Sequence, residues 1–434
     1  FLRGLAYNPK PAPASPMTIR KSTPGMADRL FFSVIDRLLS RITRGTLTVG
    51  LPDSTVRVYG SEAVQGTRAH LRVNDYAMFT RVALHGEIGL GESYTDGMWD
   101  SDDLAGVLGL LVENRTALGD GNLWLSALSR ARNFRLHKSR PNTLEGSKSN
   151  IEAHYDLNAD FYRTFLDSTM TYSCGIFGGP EDTLENAQHT KIRSVIEKAC
   201  IGPGDRVLEI GCGWGGLAVE AVRATGCRWT GITVSRTQYE YASDLVRREG
   251  LEGNITVLLE DYRNVLGSFD RIVCVEMIEA VGHEFLGEFF ASCDRVLAPH
   301  GIVFIQAITI PDQRYDRHRT QPNWIQKHIF PGGMLPSLTA LCTAMTSHSR
   351  LIVESVENIG MHYAPTLRHW RERFEGASHD LDRMGYDKAL RRTWVYYFAL
   401  CEAQFRMRAL NDIQMVLVRE GNRRLMEESP ERGF

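Results

Sequence analysis

The sequence predicts an α/β fold, a doubly wound seven-stranded sheet with a helical, aromatic-rich insertion, preceded by a small N-terminal α+β unit. Three observations carry that expectation. Val207 to Gly216 reads VLEIGCGWGG, an apolar strand ending in a glycine turn that opens a helix. From Ile151 onward, short apolar runs alternate with helical patterns, as parallel strands joined by crossovers do. Before that point the apolar residues alternate with polar ones around Pro and Asp turns, which is a different architecture.

Taken in order, Pro9, Pro11, Pro13 and Pro16, interleaved with Ala and Ser, make residues 1–24 a flexible arm. Ala27 to Arg44 sets Phe31, Ile35, Leu38 and Ile42 at helical spacing. Its arginines outnumber its aspartates, which suits a helix lying on an anionic membrane surface or one packed on its own domain; packing is the expectation. Gly45 to Leu71 reads as antiparallel strands, and Tyr76 to Leu111, containing GEIGLGESYTDGMW, as helix, glycine turn and capped helix. These elements read as a small α+β unit over residues 25–125, followed by a charged linker over 126–150.

The main domain is expected over residues 151–420, with a tail at 421–434. Its strands fall near Arg206–Ile210, Arg228–Val234, Ile255–Leu259, Arg271–Glu276, Ile302–Ile308, Leu351–Ile359 and Ile413–Val418. One insertion, ITIPDQRYDRHRTQPNWIQKHIFPGGMLPS, follows the fifth strand, and another runs from Met361 to Leu410. Insertions at the carboxyl ends of strands are where such a sheet builds its pocket.

Composition narrows the function classes. With 43% hydrophobic and 24% charged residues the chain can bury a sizeable core, and a net charge of −2 argues against nucleic-acid binding. No apolar run approaches the roughly 18 residues that span a bilayer, and the first residues do not read as a secretory signal. The eight cysteines form neither CxxC pairs nor zinc-ligand spacing, which points to a reduced, cytoplasmic setting without metal.

The glycine turn alone is ambiguous, because Gly211, Gly213 and Gly216 also satisfy the dinucleotide pattern GxGxxG. A dinucleotide site needs an acid about 20 residues further on for the ribose hydroxyls. Thr233 stands there instead. Later strand ends carry Glu260, Asp261 and Tyr262, then Glu279, a series that resembles a class I S-adenosylmethionine-dependent methyltransferase.

Five stretches sharpen the resemblance: HYDLNADFYRTFLDSTMTYSCGIF, VLEIGCGWGG, VEMIEAVG, WIQKHIFPGGMLPS, and HYAPTLRHWRERF with YYFALCEAQFRMR. Together they resemble the cyclopropane-fatty-acyl-phospholipid synthase and mycolic acid cyclopropane synthase family, over nearly all of residues 150–420. The resemblance implies transfer of a methyl group from S-adenosylmethionine to the double bond of an unsaturated, usually phospholipid-bound, acyl chain. Transfer leaves a carbocation, and the family removes its proton with a bound bicarbonate ion. The matching ligand positions are Cys174, Glu279, Tyr363 and the main chain at Ile308. Gln306 stands where the family commonly has a histidine, and Ala280 replaces the usual histidine after the glutamate. Glutamine can hydrogen-bond the ion but cannot take a proton at neutral pH, so the product stays open between a cyclopropane and a methylene- or methyl-branched chain.

For the cofactor, the resemblance assigns Gly211, Gly213, Thr233, Gln238, Tyr262, Tyr172 and Ser173, with His154, Tyr155 and Asp156 as a lid and Arg263 left out. It implies an unsaturated phospholipid or fatty acyl substrate and peripheral contact with the inner face of the membrane. It leaves room for a homodimer and, for a methylene product, a partner reductase. Two alternatives are a methyltransferase of a soluble small molecule and a non-catalytic lipid-binding homologue. Intact Gly211, Gly213 and Glu279 speak against the second.

Overall fold

A computed structural model describes residues 24–61, 66–119, 157–321 and 323–423. The expected arm, the 126–150 linker, the His154–Asp156 lid and most of the tail lie outside the described residues.

Helix α1 (Met26–Leu39) ends before the expected Arg44. The Ser40 hydroxyl bonds back to the Asp36 carbonyl, and the Arg41 and Ile42 N–H groups turn onto Leu38 and Leu39, so the chain reverses and Ile42 is buried. The helix packs on its own unit, with Phe32 edge-on to Phe79 at 4.9 Å. Strands β1 (Thr46–Gly50) and β2 (Val56–Gly60) form an antiparallel hairpin whose turn is held by Asp53 accepting from the Thr55 N–H. Strand β3 (Arg68–Val73) departs from the expected antiparallel pattern and runs parallel to β1. The hairpin already fills one edge of β1, so the returning chain pairs with the other. Helix α2 (Ala77–Thr95) takes the expected glycine turn as an internal kink at Gly86, φ +59°. The short strand β4 (Trp99–Asp100) follows, then α3 (Leu104–Glu113), capped by the Asp103 carboxylate on the Gly106 N–H.

In the second unit, α4 (Ala159–Arg163) and α5 (Leu184–Lys198) lead into β5 (Arg206–Ile210), α6 (Gly216–Thr225), β6 (Arg228–Thr233), α7 (Arg236–Arg248) and β7 (Ile255–Leu259). Then come β8 (Phe269–Val275), α8 (Leu286–Val296), β9 (Leu297–Thr309), α9 (Asp312–Thr320), α10 (Trp324–His328) and α11 (Leu338–His348). The chain closes with β10 (Leu351–Asn358), α12 (Tyr363–Gly376), α13 (Ser378–Arg383), α14 (Lys388–Arg406) and β11 (Asn411–Arg419). The sheet order is β10-β11-β9-β8-β5-β6-β7, parallel from β5 to β9, with β11 antiparallel to both neighbours. Each of the seven expected strands is present. The order reverses between β5 and β8, and a ligand crevice opens beyond the carboxyl ends at such a point.

The two units share one core. Phe161, Phe165, Trp370, Phe374, Trp394 and Phe398 meet mostly edge-on, and another face of α14, with Arg392, Tyr396 and Arg406, covers α2 and α3. Arg392 stitches the junction, donating to the Tyr94 and Trp99 carbonyls and pairing with Asp100 at 2.8 Å. Glycine makes the approach possible. A Cβ on Gly91 would stand 2.3 Å from Trp324 Nε1, and one on Gly109 2.8 Å from Arg406.

All eight cysteines are free thiols. Among the described residues, no helix is long and apolar enough to cross a membrane.

Candidate active site

The glycine turn after β5 is built for close approach. Gly211 (φ +85°) and Gly215 (φ +87°) hold left-handed conformations, and a Cβ on Gly211 would meet Met277 at 2.6 Å. Gly213 faces open space, and Gly215 caps α6, so main-chain N–H groups at a helix N-terminus look onto the crevice.

That crevice is a cavity of about 970 Å³, at the upper end of the roughly 300–1,000 Å³ typical of ligand sites. It gathers ten of the twelve residues that the sequence singled out: Gly211, Gly213, Thr233, Gln238, Tyr262, Tyr172, Ser173, Glu279, Ile308 and Tyr363. The Thr233 hydroxyl donates to Gln238 Oε1 at 2.9 Å, so β6 and the start of α7 form one polar edge. Tyr262 stands edge-on to Phe289 and offers its ring to the cavity, while Arg263 is turned away against Asp261. Ser173 accepts from the buried Lys191 ammonium at 3.1 Å, and the Tyr172 and Tyr397 hydroxyls meet at 3.1 Å.

The remaining two, Cys174 and Gln306, are fully buried and do not line the cavity. Both hold a residue that does. Glu276, just beyond β8, accepts from the Cys174 N–H and from Gln306 Nε2, each at 2.8 Å, and from the Tyr363 hydroxyl at 2.5 Å. Gln306 Nε2 also reaches Asp412 Oδ2 at 3.0 Å, and its Oε1 accepts from Gln414, the residue opposite it on β11. Glu279, in the turn after β8, accepts from the Ile308 N–H at 2.5 Å; its other oxygen is buried with no partner among the described residues.

Three carboxyls, those of Glu276, Glu279 and Asp412, thus converge beside one cavity. Burial raises the pKa of each; repulsion from Glu276 adds to it for Glu279 and Asp412, while the bonds donated to Glu276 and the Lys191 charge partly offset it for Glu276. For Glu279 the result is about 8. Burial likewise pushes Glu209, which also lines the cavity and accepts from Trp229 Nε1, to about 7. Lys191 is the buried counter-charge, its own pKa lowered by burial. Glu276, Asp412 and Lys191 were not singled out from sequence. The one available signal was that Glu276 closes a strand, as Glu260 does.

The opposite wall is apolar and comes from both units. Leu38, Ile88, Leu90 and Leu108 of the N-terminal unit face the cavity together with Phe330, Tyr397, Leu400 and Phe405 of the insertions.

Comparison with known proteins agrees with this geometry. The family model described as mycolic acid cyclopropane synthetase matches residues 143–415. A tuberculostearic acid methyltransferase of Mycobacterium tuberculosis is 40% identical over 354 residues, covering 80% of this chain and 82% of that protein. The cyclopropane-fatty-acyl-phospholipid synthase of Escherichia coli is 37% identical over 362 residues, covering 82% and 90%. Among solved structures, the mycolic acid cyclopropane synthase CmaA1 complexed with SAH and CTAB is 30% identical with a TM-score of 0.58, covering 63% of this chain and 98% of that one.

Proposed function

The chain belongs to the mycolic acid cyclopropane synthetase family, and from that premise we propose that it transfers the methyl of S-adenosylmethionine to the double bond of an unsaturated, phospholipid-bound fatty acyl chain. The observation that carries the reading is a single cavity lined at once by a methyl-donor turn, a carboxylate cluster and an apolar wall. S-adenosylmethionine fits the residues present and supplies an electrophilic methyl group when bound. The Gly211–Gly216 turn, Thr233, Gln238 and Tyr262 would hold it, with Tyr172 and Ser173 closing over it.

An alkene is a weak nucleophile, so the wall formed by Leu90, Leu108, Leu400 and Phe405 has the task of holding the acyl chain in line with the methyl donor. The resulting cation needs negative charge nearby and no water. Glu276 supplies the charge, the rings of Tyr363 and Phe405, 4.4 Å apart, supply π-faces, and the shared core excludes solvent. The donors that the resemblance assigned to bicarbonate are engaged by the chain's own carboxylates, so no step here passes through that ion.

Peripheral membrane contact belongs to the same proposal. Helix α1 leaves Met26 90% and Leu30 63% exposed beside Arg29 and Arg37, a face suited to an anionic bilayer. The test is purified protein with methyl-labelled S-adenosylmethionine and vesicles of mono-unsaturated phospholipid. Label is expected in the acyl chains, with none in saturated vesicles, and mass spectrometry places the added carbon as ring or branch. Label in another substrate class and none in lipid overturns the reading.

A further inference from the structure

We propose that Glu276 is the catalytic base of this site, its carboxylate occupying the place that the resemblance gave to a bicarbonate ion. The inference rests on the reading that the chain methylates an unsaturated acyl chain.

The donor set decides the matter. Cys174 N–H, Gln306 Nε2 and the Tyr363 hydroxyl converge on the Glu276 carboxylate, and the Ile308 N–H is taken by Glu279. Gln306 cannot turn its amide to serve another anion. A flip would lose the Gln414 bond and face the amide oxygen to two carboxylates. The residues present therefore do not fit a separate bicarbonate. They fit a carboxylate delivered by the chain.

The backbone points the same way. Glu276 has φ +50°, a left-handed conformation that is strained for a non-glycine residue and that glycine would adopt freely. Its N–H bond to the Gln306 carbonyl at 2.8 Å holds the strain, and the twist sets the side chain among its three donors at the cavity wall.

The chemistry balances. The alkene π-pair forms the bond to the methyl carbon as the C–S bond breaks, and sulfur leaves as a neutral thioether. Glu276 then accepts a proton from the cation. If that proton comes from the new methyl, the C–H pair closes the third ring bond; if it comes from a neighbouring carbon, the pair becomes a C=C bond. A carboxylate has about four acceptor positions, and three donors leave one for the proton, which returns to solvent after product release. Asp412, Glu279 and Lys191 face Glu276 and set its charge. Burial raises its pKa above the ordinary carboxylate range, which makes it a stronger base than a solvated carboxylate. Glu279, pushed to about 8, is mostly protonated at pH 7 and is the poorer base.

The experiment compares wild type, Glu276→Gly and Glu276→Gln in buffer purged of carbon dioxide, with and without bicarbonate, and measures binding of ¹³C-bicarbonate by NMR. Wild type is expected to bind no bicarbonate at millimolar concentration and to keep its turnover within twofold when bicarbonate is removed. Glu276→Gly is expected to lose activity by about 10²-fold or more, to bind bicarbonate in the vacated place and to regain turnover when it is added. Glu276→Gln is expected to lose as much and not to be rescued, because the place is filled. Saturable bicarbonate binding or stimulation in wild type overturns the proposal without recourse to any variant. So does a variant active within threefold of wild type in purged buffer. A wild type that labels no lipid overturns the proposed function instead, while the bicarbonate-binding comparison still decides what Glu276 replaces.

Discussion

Gly91→Ala tests whether the N-terminal unit is a working wall of the active site. In an isolated helix this change stabilises by up to about 1 kcal/mol. Here the new methyl would stand 2.3 Å from Trp324 Nε1 and 2.8 Å from Tyr396 Cε1, where carbon contacts relax at about 3.5 Å. Both rings are only 1% exposed and lie 4.7 Å apart, so relieving the contact means repacking a buried aromatic pair. Overpacking costs roughly 1–3 kcal/mol; taking its upper part, the net is a loss of about 1–2 kcal/mol, opposite in sign to propensity. Gly376→Ala is the control, since a Cβ there meets nothing within 4 Å. Thermal unfolding should show the first variant below wild type by roughly 2–8 °C and the control at or above it. Separating α2 from α14 should also raise KM for lipid several-fold and leave S-adenosylhomocysteine affinity unchanged, because the glycine turn belongs to the sheet. A Gly91→Ala protein as stable as the control, or one losing cofactor affinity along with lipid affinity, would refute the shared-wall argument.

Three further outcomes are expected. Glu279, raised to about 8 in the fold from an ordinary 4.5, favours the folded state fully below about pH 4.5, and that contribution is lost as pH rises through 8; the unfolding temperature of wild type should therefore fall between pH 5 and 9 relative to Glu279→Gln, and parallel curves would mean that Glu279 is not held protonated. Lys191→Met leaves buried carboxyls without their cation and should destabilise by about 3–5 kcal/mol in denaturant titration, whereas a loss under 1 kcal/mol would show that those carboxyls are neutral. Gln306→His sets an imidazolium between Glu276 and Asp412; turnover should drop about tenfold or more at pH 7 and recover as the imidazole deprotonates, and a pH-independent loss would indicate packing instead.

The sheet was legible because its signals are local. An apolar run such as VLEI needs neighbours on both faces wherever it lies, and a glycine turn before a helix has few other uses. Ten site residues fell on one cavity because strand ends in a doubly wound sheet all open on the same side. Pairing direction was less legible. Alternation reports which face of a strand is buried and is silent on its neighbours, so β3 was expected antiparallel to the hairpin and lies parallel to β1.

What the sequence by itself determined was the α/β sheet, the methyl-donor turn and the family to which the chain belongs. Only the tertiary structure decided what Cys174 and Gln306 are for. Their partner Glu276 binds groups from positions 174, 306 and 363, brought together by strand order and a left-handed backbone that no local pattern announces. It also decided that Leu38 and Leu108 share a wall with Phe405, a contact set by two glycines that let helices from distant parts of the chain touch. Periodicity is a property of neighbours in sequence; hydrogen-bond saturation and close packing are properties of neighbours in space.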